Sequence, residues 1–241
     1  MPRCLHLAAS RLERLSRQAT ALLCQPGWMH LGEPPINWPA EVREQFRFSW
    51  LGGLRLSLAS YYRRWRPRYS PEELTRLYEA CEFREFFFQA GGRLDFEDCT
   101  FDLIVSEHFF EHLHLPDALA LLRECQRILR PGGVIRTCVP DADLRGYAPP
   151  ESPGYPGARV PWTHHQKHKS RWNVYSFSEV LRMVGLEPRP IQYCTSDRVY
   201  HDDLTAAAES AKSQQHPAAD LIATTAYFRR LPSLIVDGVK P

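Results

Sequence analysis

The chain has 241 residues, 44% hydrophobic and 24% charged, which suits one large domain or two small ones and excludes extensive disorder. A net charge of +2 gives no electrostatic case for a polyanionic partner, and no apolar run approaches the ~20 residues of a membrane-spanning helix. The seven cysteines include no C-x-x-C pair, which fits a reducing cytoplasm rather than a disulfide framework, and the Arg- and Glu-bearing N-terminus is unlike a secretory signal.

In chain order, "CLHL" is a short strand candidate and "SRLERLSRQATALL" behind it a helix. Leu12, Leu15, Ala19 and Leu22 recur at helical spacing, and Ser10 with Glu13 forms a capping box. "GWMHL" is a second strand candidate, and residues 32–71, rich in Trp, Arg and Pro, read as an irregular insertion. Ser70-Pro71-Glu72-Glu73 starts another helix, with proline at its first position.

"EFREFFFQ" reads as a strand and "FDLIVS" as a fully buried one. "PDALALLRECQRILR" is an amphipathic helix that Pro131-Gly132-Gly133 ends, and "GVIRTCVP" follows as a strand. Strand, helix and strand at this length make a βαβ unit with parallel strands. The stretch 146–175 is a second irregular insertion or lid. Ser176 to Val184 reads as a short helix capped by Ser176 with Glu179, and "PIQYCT" and "SLIVDGVK" as the last strands. The alternation predicts one α/β layered domain over 1–241.

Within "SEHFFEHL", residues His108, Glu111 and His112 spell H-x-x-E-H, the ligand pattern of one class of zinc peptidases. That chemistry needs both histidines on one helix face, yet the segment leaves a buried strand and Pro116 stands four residues beyond His112. Polar residues at the carboxyl end of a strand are where open α/β sheets bind ligands, so the zinc-hydrolase reading ranks last and no metal is expected. "WTHHQKHKSRW" offers a further possible metal pair in His164 or His165 with His168, and a solvated basic loop is the plainer reading. In "YYRRWRPRYSP" arginines alternate with aromatics, more simply as packed stems than as a nucleic-acid surface.

The run "LDFEDCTFDLIVSEHFFEHLHLPDALALLRECQRILRPGGVIRTCVPD" resembles the central portion of class I S-adenosylmethionine-dependent methyltransferases of the type 11 kind. "HKSRWNVYSFSEVLRMVGLEP" and "SLIVDGVKP" are similar to that family's later elements. The resemblance implies a Rossmann-like three-layer sandwich, with a mostly parallel seven-stranded sheet and an antiparallel last strand. It also implies S-adenosylmethionine as cofactor and a small-molecule or glycan-type acceptor, with no membrane or nucleic-acid partner.

By the same resemblance Ala8, Ser10, Glu33, Gln89, Ala90 and Ser106 would meet the cofactor, and His108 and Glu107 would be catalytic. The family's Gly-rich turn after strand one is "LHLAAS" here, with Ala8 and Ser10 in place of glycines. The acid that ends strand two falls at Gly32, with Glu33 one residue late, and Gln89 replaces the acid after strand three. Two classes therefore stay open: a methyltransferase, or a methyltransferase-fold binding module that has lost the cofactor.

Overall fold

The computed structural model describes residues 1–9, 12, 15–32, 69–144, 168–228 and 233–241. The expected capping box at Ser10 and Glu13, most of both irregular insertions, His164, His165 and most of the Arg-aromatic run lie outside them.

Among the described residues, eight strands form one sheet. They are β1 (Cys4–Ala9), β2 (Trp28–Gly32), β3 (Glu82–Glu85), β4 (Phe101–Glu107), β5 (Leu129–Val139), β6 (Glu187–Cys194), β7 (Tyr200–Asp202) and β8 (Leu234–Val239). Their order is β3-β2-β1-β4-β5-β8-β6-β7. The β3-β2-β1-β4-β5 half is parallel, and β8 enters antiparallel between β5 and β6. The sequence leads one to expect seven strands. The eighth, β7, folds back on β6 through a turn in which the Thr195 N–H donates to the Val199 carbonyl, and the Tyr193 and His201 rings stack across the pair.

Alternation along each strand sends side chains to two separate cores. Leu5, Leu7, Ile104, Ile135 and Val236 face one core, where they pack against α3 (Leu115–Ile128) and α4 (Val174–Met183). Cys4, Leu103, Val105, Cys138 and Ile235 face the other, with α1 (Arg17–Leu23), α2 (Pro71–Ala80), α5 (Leu204–Ser213) and α6 (Ala219–Ile222) contributing. Helices on both faces of a mostly parallel sheet make the three-layer sandwich that the strand and helix alternation predicts.

Caps decide where three helices begin. Helix α2 starts where the sequence predicts, with Pro71 at its first position, and Ser70 and Glu73 form a reciprocal box at its head. Helix α1 starts later than its apolar periodicity suggests, because Ser16 accepts from the Ala19 N–H, so buried Leu12 and Leu15 precede the helix. Helix α4 starts earlier than predicted: Asn173 is the cap and Ser176 its box partner, while Glu179 pairs with Arg182 on the surface.

A buried ion pair joins the neighbouring strands β5 and β8. Arg136 on β5 donates through Nε and Nη2 to both carboxylate oxygens of Asp237 on β8, each at 2.7 Å. Its Nη1 reaches the Ile222 and Thr224 carbonyls and the Tyr227 hydroxyl. The Asp237 charge and the Tyr227 contact raise the guanidinium's already high pKa further, against the opposing effect of burial.

Candidate functional site

The carboxyl ends of β1, β2 and β4 lie side by side, the position at which open α/β sheets bind ligands. Leu7 pairs with Ser106 of β4, and the β1–β2 register then breaks between Leu7 and Ala9. Ala8, inside that break, has φ +55°. The left-handed backbone that a glycine turn would supply is therefore present, but built on a residue with a Cβ, at a cost of ~1 kcal/mol.

The break carries Ala9 toward β2. A Cβ added to Gly32 would stand 1.9 Å from the Ala9 carbonyl oxygen. Gly32 is therefore glycine because the neighbouring backbone occupies the place of its side chain, and no acid fits there. Ser10 and Glu33, the other expected cofactor contacts on this side, lie outside the described residues.

At the end of β4, Ser106 is buried, and its hydroxyl meets no hydrogen-bonding partner among the described residues. Glu107 is half-buried. His108 has φ +50° and is held by its N–H donating to the Cys138 carbonyl at 2.8 Å. Its Nδ1 lies 3.0 Å from Oε1 of Glu111, and an ionised carboxylate only accepts, so Nδ1 is the donor of this contact whenever Glu111 is ionised. Among the described residues Nε2 makes only a long contact to the Cys138 sulfur, at 3.9 Å.

Residues Phe110–His112 form a single 3-10 turn, not the helix that a zinc-peptidase motif requires. His108 turns to Glu111, whereas the His112 ring meets His168 edge-to-face with centroids 5.1 Å apart. Buried Glu111 spends Oε1 on His108, and its Oε2 has no partner among the described residues. The strand of chain at 168–172 is laced to this turn. The Lys169 and Ser170 N–H groups donate to the Glu111 carbonyl, and the Ser170 hydroxyl and Trp172 Nε1 to that of Phe110.

Beyond β3, Gln89 and Ala90 are exposed on a turn in which the Gly92 N–H donates to the Gln89 carbonyl. Phe86 and Phe88 just before it meet Phe109 at ring separations of 6.4 and 6.2 Å. An aromatic edge therefore flanks the β4 end, and neither Gln89 nor Ala90 is buried in it.

Among the described residues, two groups of side chains could hold a metal: Glu111, His112 and His168, and separately Cys24, His30 and Cys81. In the second group the Cys24 thiol donating to Cys81, with His30 beside it, pulls the Cys81 pKa down against the effect of burial, and Cys24 is pushed up by the same contact. His30 already meets His6 Nδ1 at 3.2 Å and the Leu23 carbonyl at 3.0 Å, so both of its ring nitrogens are engaged. Sequence reasoning overlooked the Cys24–His30–Cys81 convergence, because those residues come from three elements and no local spacing joins them. It saw the two halves of the first group, H-x-x-E-H and the His-rich run, without a signal that they meet.

Residues 57–137 match the family model described as a methyltransferase domain. No curated protein matches the sequence. Among solved structures, the [4+2]-cyclase SpnF is 15% identical over 100% of this chain and 75% of its own, with a TM-score of 0.50. The 1,6-didemethyltoxoflavin-N1-methyltransferase of Burkholderia thailandensis is 14% identical over 99% and 71%, at 0.48. An S-adenosylmethionine dependent methyltransferase of Mesorhizobium loti is 15% identical over 99% and 91%, at 0.45. The matched segment and the strand order together give this chain the class I S-adenosylmethionine-dependent methyltransferase fold.

Proposed function

We propose that the protein is an S-adenosylmethionine-dependent methyltransferase acting on a small-molecule or glycan-type acceptor. The observation that carries this reading is the pairing of Leu7 with Ser106, which sets the left-handed Ala8 beside a buried hydroxyl with no partner among the described residues. A buried polar atom costs about 1–3 kcal/mol when unsatisfied, so it marks a place prepared for something to arrive. The turn at Ala8 brings the β1 backbone to that same place, as a cofactor with a polar amino-acid end requires.

Methyl transfer from a sulfonium is an in-line displacement, and the protein's task is alignment and removal of the acceptor's proton. His108, with Nδ1–H tied to Glu111 and its lone pair on Nε2, serves as base or orienting group. Glu107 and Ser106 would hold the cofactor's polar end, with Ser10, Glu33, Gln89 and Ala90 as its further contacts. When bound, the cofactor supplies the activated methyl group.

A second reading has its own support: the Ala9 carbonyl fills the space that an acid at Gly32 would use for the ribose hydroxyls. The fold also serves other ends, since SpnF is a [4+2]-cyclase. On this reading the chain is a binding module without the transfer reaction. Calorimetric titration of the full chain with S-adenosylhomocysteine separates the two. Micromolar binding supports the enzyme, and no binding at millimolar ligand leaves the module. Seven unbridged cysteines support a reducing, cytoplasmic setting, and no helix among the described residues is long and apolar enough to cross a membrane.

A further inference from the structure

We propose that Glu111, His112 and His168 form a binding site for a borderline divalent cation such as Mn2+, Co2+ or Zn2+. One carboxylate oxygen and two imidazole nitrogens lie within 4.8 Å of one another. Two ligands each ~2.1 Å from a shared ion stand at most ~4.2 Å apart, so small rotations of the half-buried imidazoles close the set.

Glu111 gives the independent sign that something belongs there. Its side chain is only 1% exposed, and Oε2 has no hydrogen-bonding partner among the described residues. Leaving a buried carboxylate oxygen empty is costly, and a cation answers that cost directly. His108 completes the arrangement from outside: its Nδ1–H fixes Oε1 at 3.0 Å and so sets the direction of Oε2. A histidine that orients a ligating carboxylate is the kind of outer support metal sites use.

The site is also built, not accidental in placement. His112 follows Glu111 in the 3-10 turn, and His168 is delivered by the segment whose Lys169 and Ser170 N–H groups both donate to the Glu111 carbonyl. Buried Trp172 anchors the same segment to Phe110. Two imidazoles and one carboxylate suit borderline cations better than Mg2+ or Ca2+, which prefer all-oxygen shells. Three protein ligands leave the ion with open positions at the carboxyl end of β4.

The inference goes beyond methyl transfer and does not depend on it, because its readout is cation binding alone. The test is titration of the chelator-treated full chain with Co2+, followed by visible absorption. Expected are d–d bands saturating at one equivalent, with affinity at least ~10-fold weaker in His168→Ala and in Glu111→Gln, and about 10-fold weaker in His108→Gln. His114→Ala, an exposed neighbour, leaves the titration unchanged. Near-UV circular dichroism checks the fold of each variant. Glu111→Gln keeps the shape of the buried group, and His168→Ala decides should that variant misfold. No bands at millimolar Co2+ overturns the site, as do bands that persist in both variants. A thiolate charge-transfer band lost in Cys81→Ser overturns it too, by assigning the ion to Cys24, His30 and Cys81.

Discussion

Arg136 and Asp237 stand opposite one another in the β5–β8 pairing, and both are buried. The pair is satisfied from every side, so its value lies in not being broken. Asp237→Asn leaves the guanidinium buried without a counter-charge and should cost about 3–5 kcal/mol, lowering Tm by upward of ~6 °C. The double change Arg136→Met with Asp237→Leu should recover most of that loss. Thermal unfolding of the three proteins checks this, and equal Tm in the single and double variants would count against it.

The positive φ of Ala8 makes an opposite forecast for two neighbouring positions. Ala8→Gly should stabilise the chain by no more than about 0.5 kcal/mol, the released strain of ~1 kcal/mol less the extra freedom of the unfolded glycine. Gly32→Ala forces a Cβ into the Ala9 carbonyl and should destabilise by about 3 kcal/mol or more. Urea melts of both variants supply the measurement.

Ser106→Ala removes a hydroxyl that has no partner among the described residues. Without ligand, the variant should be as stable as the parent or up to ~1 kcal/mol more so. Its affinity for S-adenosylhomocysteine should fall about 2–10-fold. Loss of stability in the ligand-free variant would mean that the hydroxyl serves the fold.

Burial holds the His216 pKa below its ordinary value, against the pull of Asp102 and Asp237. In the unfolded chain His216 takes up a proton at about pH 6.5, whereas the folded chain resists it. Its contribution is therefore complete above about pH 6.5 and is lost as pH falls through the depressed folded value. His216→Asn, which keeps an acceptor for the Ala218 N–H, should flatten this part of the profile. Denaturant unfolding between pH 5 and 8 tests the slope.

What the sequence made legible was periodic or local. The buried β4 run, the α3 stripe and the Ser70-Pro71 helix start each announce themselves locally, and all three are present; α3 however ends at Ile128, and Pro131-Gly132-Gly133, expected to stop it, falls inside β5. Helix starts at α1 and α4 were misplaced because several Ser and Asn residues compete as caps, and only tertiary packing selects Ser16 and Asn173. At the site, the replaced glycines were visible in "LHLAAS", but the reason for Gly32 was not. That reason is the backbone of a different strand. His168 reaching Glu111 across more than fifty residues has no sequence signature either, since its adjacency is created by hydrogen bonds to carbonyls that every residue possesses.

The insertion of β8 between β5 and β6 bears on how the chain is made. Synthesis delivers β6 and β7 well before β8, yet β6 joins the rest of the sheet only through β8. On the ribosome, the parallel half from β3 to β5 can assemble early, while the β6–β7 hairpin waits without its neighbour and Arg136 without its counter-ion. During that interval β5 and β6 each present an open edge, the condition under which strands pair with the wrong chain. Chaperone dependence and aggregation should therefore concentrate in the interval between synthesis of β6 and synthesis of β8, and a circular permutant that emits β8 before β6 should shorten it.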